Sequence, residues 1–86
     1  MFSVQFSVRA QDFLDKLDNH IRIRIEEKIK KLQENPIPKD AKFIGRDKSE
    51  KIFRYRIGDY RALYKIKDME KIVLIAKIDK RSRIYD

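Results

Sequence analysis

At the head of the chain Phe2, Val4, Phe6 and Val8 alternate with Ser3, Gln5 and Ser7, the period-two rhythm of a strand that buries one face. From Ala10 the spacing lengthens: Phe13, Leu14 and Leu17 recur as on one side of a helix and stop at Asp18-Asn19. Either of those two side chains can cap a second helix by accepting its free backbone N–H groups. Ile21, Ile25, Ile29 and Leu32 make one stripe of that second helix. It should end at Asn35-Pro36, because proline pushes the residue before it out of the α conformation. Residues 39–51 are polar without a sustained period, and read as a connecting loop with Phe43 and Ile44 tucked beneath it.

Two-residue alternation returns at Ile52, with Ile52, Arg54 and Arg56 on one side of a strand and Phe53, Tyr55 and Ile57 on the other. Gly58-Asp59 is a hairpin turn in which glycine supplies positive φ, and this turn sets Ile57 against Tyr60 and Arg56 against Arg61. Like charges opposed across a ladder are unfavourable by roughly 0.2–1 kcal/mol. A bound phosphate or carboxylate reverses that sign through charge-assisted hydrogen bonds, so Arg54, Arg56 and Arg61 read as an anion-binding face. A final apolar run, Ile72 to Ala76, predicts a strand inside the sheet, buried on both faces or nearly so. Beyond it Lys80, Arg81, Arg83 and Tyr85 set cations beside an aromatic ring, an arrangement that suits phosphate contact and base stacking in RNA. The order is βααβββ, and the class α+β: a two-helix hairpin packed on a mostly antiparallel twisted sheet.

Eighty-six residues hold one core, so residues 1–86 are read as a single domain. The absence of cysteine excludes disulfides, thiolate metal sites and a cysteine nucleophile, and fits a reducing, cytoplasmic location. No apolar run nears the ~20 residues that span a bilayer, nor does the N-terminus read as a signal peptide, so no membrane association is expected. Charge is uneven: residues 1–41 carry eight basic and seven acidic side chains, residues 42–86 fourteen and seven. Nearly all of the net +8 therefore lies in the half that carries the arginine hairpin, which favours a polyanionic partner.

With this order of elements, the stretches "YRIGDYRALYKI" and "KIDKRSRIYD" give the chain a form that resembles the RelE/ParE toxin superfamily, more closely its RelE branch. The likeness covers nearly the whole chain, and its most specific parts are the Gly58-Asp59-Tyr60-Arg61 hairpin and the Lys80-Arg81 and Tyr85 near the C-terminus. It implies a RelE-like fold similar to microbial RNases and a ribosome-dependent endoribonuclease that cuts mRNA in the ribosomal A site. It also implies a toxin held inactive by a RelB-like antitoxin, in a heterotetramer, with no metal or other cofactor. On the same resemblance Arg61 falls on the phosphate-binding arginine, Arg81 on a second active-site arginine and Tyr85 on the terminal active-site tyrosine. Arg54 and Arg56 fall where that branch has basic residues, lysines in its best-known pattern.

Attack of a ribose 2′-hydroxyl on the adjacent phosphorus needs a proton acceptor, a stabiliser of the charged transition state and a proton for the leaving 5′-oxygen. Arginine serves the second need and not the first, since guanidinium keeps its proton. The only histidine, His20, reads as a surface or capping residue of the second helix, which leaves Tyr85, Lys80 or Lys65 as acceptor. Lys65, Lys80 and Arg83 are further RNA-binding candidates. Two other classes fit the scaffold: a ParE-like inhibitor of DNA gyrase without nuclease chemistry, and a non-catalytic basic module that binds RNA or an acidic peptide.

Overall fold

A computed structural model of the chain describes residues 1–80. Strand β1 (Ser3–Phe6) leads into helix α1 (Val8–Asp15), then α2 (Asn19–Lys30), which tightens into a 3-10 turn over Lys31–Gln33. Four strands follow: β2 (Ala41–Asp47), β3 (Glu50–Ile57), β4 (Tyr60–Lys67) and β5 (Ile72–Lys80). Spatial order is β1-β5-β4-β3-β2, with β1 parallel to β5 and every other pair antiparallel. Both helices cover one face of this sheet and leave the other open. Among the described residues no helix is long and apolar enough to cross a membrane.

Ser7 explains why the first strand turns so abruptly into a helix. Its hydroxyl accepts from the Ala10 N–H at 3.1 Å, an N-cap bond, and donates to the Ala76 carbonyl at 2.8 Å. Ala76 is the extra residue of a bulge in β5, since Leu63 pairs with Lys77 and the next residue, Tyr64, pairs with Ile75. One side chain thus starts α1 and binds a carbonyl at the bulge. Eight residues make a marginal helix in water, so α1 depends on its packing against β5 through Ala10 and Leu14, both wholly buried. In α2 the Asp18 side chain makes no capping bond; its carbonyl instead accepts from the Ile21 and Arg22 N–H groups. Ile25, Ile29 and Leu32 carry the expected apolar stripe into the core, and the helix stops before Pro36.

Beneath the helices lies an aromatic layer. Tyr64, fully buried, stacks on Phe53 with ring centroids 5.6 Å apart and meets Tyr55 edge-on at 6.2 Å. Its hydroxyl donates to the Pro36 carbonyl at 2.7 Å, tying the connection after α2 to the centre of the sheet. Burial raises the Tyr64 and Tyr55 hydroxyls above their ordinary pKa, so both remain neutral donors.

The sequence pattern and the structure part company over residues 39–51. The expected loop contains β2, which makes the order βααββββ, and Phe43 and Ile44 are about half exposed rather than tucked away. A bulge is the cause: Phe43 pairs with Phe53 but Gly45 with Ile52, so Ile44 is an extra residue that breaks the two-residue period. The following turn holds Lys48 and Ser49 at φ of 52° and 75°, left-handed values usually met by glycine or asparagine, which removes the usual turn signal as well. β5 is internal as expected, but alternates: Val73, Ile75 and Ile78 are buried towards the helices while Leu74 and Lys77 are partly exposed on the other side.

Candidate functional site

Antiparallel pairing carries the residues of four strands onto the open face in two cross-strand rows. In the first, Lys42, Arg54, Leu63 and Lys77 are successive partners from β2 to β5. The second row, one step nearer the Gly58-Asp59 turn, runs Arg56, Arg61, Asp79. Strands sit about 4.8 Å apart, so the first row extends over roughly 14 Å. Five cations and one carboxylate stand in these rows, and Arg56 and Arg61 are directly opposed as the turn requires.

Burial divides the arginines. Arg56 is exposed, whereas Arg54 and Arg61 are only 7% and 6% exposed. A strand arginine on a face the helices leave open would ordinarily project into solvent, yet Arg61 is enclosed. Of the three, Arg56 alone is open to solvent in this structure.

Farther along β4 the same face changes character. Lys65 makes a 2.5 Å ion pair with Asp47 and lies 3.9 Å from Glu50, while Lys67 pairs with Glu50 at 3.3 Å. The hydrogen bond to Asp47 holds the Lys65 ammonium above its ordinary pKa, and the same bond holds the Asp47 carboxyl below its own. A lysine so engaged is a poor proton acceptor, which removes Lys65 from that role, and its charge is already answered from within the chain. The arginines gather at the hairpin end instead.

Lys80 pairs with Tyr60 and shares the strand side of Ile78, so it projects towards the helix side of the sheet, away from the arginine rows. His20 is exposed on α2 and lines a cleft with Arg24, Lys28, Ile57 and Tyr60, also on the helix side. Arg81, Arg83 and Tyr85 lie outside the described residues. The pairing thus unites Arg54, Arg56 and Arg61, sets Lys65 apart and turns Lys80 to the other side. It also adds three residues that sequence patterning passed over: Lys42, Lys77 and Asp79. Lys77 and Asp79 were legible as the off-phase positions of β5, but only the bulge at Ala76 decides which face they join. Among the described residues no cluster of three histidine or acidic side chains is placed to hold a metal ion.

Residues 4–85 match the family described as ParE toxin of type II toxin-antitoxin system, parDE. A Methanocaldococcus jannaschii protein named "Putative toxin RelE1" is 34% identical over 85 residues, covering 98% of this chain and 94% of that protein. In the archaeal RelE-RelB complex from Pyrococcus horikoshii one chain superposes with a TM-score of 0.84 at 24% identity, over 96% of this chain and 98% of that one. The toxin-antitoxin complex RelBE2 from Mycobacterium tuberculosis gives a TM-score of 0.77 at 31% identity, over 93% and 98% of the two chains. A five-stranded sheet with two helices on one face, an arginine hairpin on the other and a family match along almost the whole chain lead to one conclusion: the chain belongs to the RelE/ParE superfamily of type II toxin–antitoxin toxins.

Proposed function

We propose that the chain is a RelE-type endoribonuclease that cuts mRNA in the ribosomal A site, by attack of a 2′-hydroxyl on the adjacent phosphate. The observation that carries this reading is the registered opposition of Arg56 and Arg61, with Arg54 beside them, on the face the helices leave open. Guanidinium groups grouped in this way neutralise the charge that develops on a phosphorane-like transition state. Arg81 and Tyr85 are proposed to join them, and Arg83 to add phosphate contacts. Codon-dependent cuts revealed by primer extension in a translating extract support the reading; intact message in the presence of the full-length chain rejects it.

A small basic toxin would arrest its own host, so a RelB-like antitoxin is the expected partner, as in the RelE-RelB complexes of Pyrococcus horikoshii and Escherichia coli. Charge complementarity points to an acidic segment, and a flexible one can wrap a small domain over a wide area. The two chains should co-purify as a heterotetramer whose association slows as salt rises.

A second reading follows from the matched ParE toxin family: the same scaffold acting as an inhibitor of DNA gyrase, with the arginines incidental to its action. A supercoiling assay run beside the cleavage assay separates the two. Lost supercoiling with uncut message selects gyrase, and the reverse selects the nuclease.

A further inference from the structure

Among the described residues the open face has cations in abundance and few groups that can take the 2′-proton. The arginines keep theirs, and the lysines enter as ammonium donors with no acceptor. Tyr55 and Tyr64 are buried on the helix side with raised pKa values, and His20 is also on that side. Three carboxylates reach the open face among the described residues. Two of them, Asp47 and Glu50, are engaged by Lys65 and Lys67 at the end away from the arginines. The third is Asp79, the cross-strand partner of Arg61, and the pair stands in the same row as Arg56.

We propose that Asp79 is the general base of the cleavage reaction, an inference that rests on the nuclease reading. Directly opposed residues have Cβ atoms about 4.5–5.5 Å apart, so a phosphate drawn to Arg61 lies within a side chain's reach of the Asp79 carboxylate. Its Oδ1 accepts from the Lys80 N–H at 2.7 Å, which fixes the carboxylate near the strand surface. Oδ2 makes no hydrogen bond among the described residues. The charged groups that face it are Arg61 across the ladder, Arg56 beyond it and Lys77 two residues back on its own strand, with Arg54 in the neighbouring row.

The step balances as follows. Asp79 takes the 2′-hydroxyl proton while the 2′-oxygen bonds to phosphorus; the bond from phosphorus to the 5′-oxygen breaks, and that oxygen takes a proton from solvent water. The products are a 2′,3′-cyclic phosphate and a 5′-hydroxyl, and Asp79 then returns its proton to solvent. A carboxylate supplies basicity that the guanidinium groups around it cannot.

The test is single-turnover cleavage of mRNA on programmed ribosomes by the chain. Asp79→Asn preserves the shape and the Oδ1 acceptor. It should slow cleavage by about 10²-fold or more, with ribosome binding within about threefold of the unaltered chain. Asp79→Glu should recover part of the rate, and added formate should speed Asp79→Ala. Asp79→Asn cutting within about threefold of the unaltered chain overturns the assignment while leaving the nuclease reading in place. So does an Asp79→Ala variant that formate does not speed, which makes Asp79 a positioning residue for Arg61 instead. Uncut message with the unaltered chain rejects the nuclease reading itself, and this inference with it.

Discussion

The two faces of β3 and β4 are built from alternate residues of the same strands and follow opposite rules. Towards the helices Phe53, Tyr55, Ile57, Ala62, Tyr64 and Ile66 are all buried, and the Tyr64 hydroxyl has its carbonyl partner. Towards the open side the intervening positions bring Arg54, Arg56, Arg61, Lys65 and Lys67, with Ile52 and Leu63 between them. Cohesion comes from the first face, through burial at roughly 25 cal/mol per Å² of apolar surface. The second face opposes like charges, a local electrostatic cost that the proposed phosphate would relieve. Yet Arg54 and Arg61 are as buried as parts of the core, so the open face is a packed surface with its own structure.

Truncation of the helix-side layer should have the largest effect. Tyr64→Ala removes a wholly buried ring at the centre of the stack and should cost about 3–5 kcal/mol, read as a lower denaturation midpoint. Arg61→Ala, three residues back on the same strand and on its other face, should lower cleavage by about 10²–10³-fold, the range seen when one charge-stabilising donor is removed. Chemical denaturation of the same variant sharpens the contrast between faces: a midpoint as low as that of Tyr64→Ala would assign Arg61 to cohesion instead of chemistry.

Smaller effects probe how each face is pinned. Ser7→Ala deletes the α1 cap and the bond to the Ala76 carbonyl in the β5 bulge, and should cost about 1–2 kcal/mol of stability. Because that bulge sets the phase of Lys77 and Asp79, the variant should also reduce cleavage, linking the two faces through one hydroxyl. The smallest effect belongs to Lys65 and Asp47. Asp47 has its pKa lowered in the folded state by the Lys65 hydrogen bond. Its contribution is therefore complete above the unfolded value of ~3.9 and fades as pH falls through the lowered folded one. Asp47→Asn should remove that acid-side dependence, in denaturation midpoints compared at neutral and acidic pH and low salt; added salt should shrink the difference, since Asp47 is exposed and Lys65 only partly covered.

Local patterning determined much of this protein. Period-two and helical spacing placed β1, α1, α2 and β3, a continuous apolar run placed β5, and the Gly58-Asp59 turn gave β4 and set Arg56 opposite Arg61, because a two-residue turn leaves only one register. Strand β2 escaped because its bulge at Ile44 and its turn of non-glycine residues erase the signals on which such reading depends. Tertiary structure alone decided the rest: that Arg54 and Arg61 are buried, that Lys65 is engaged by Asp47, that Lys80 faces the helix side and that Asp79 stands beside Arg61. Each of those facts depends on pairing between strands whose contacting residues lie about 18 positions apart, as with Arg61 and Asp79 or Asp47 and Lys65, and on a bulge that shifts phase by one residue. Hydrophobic period specifies which face of a strand is buried within one element; which charge meets which across a sheet is fixed only when the chain closes on itself.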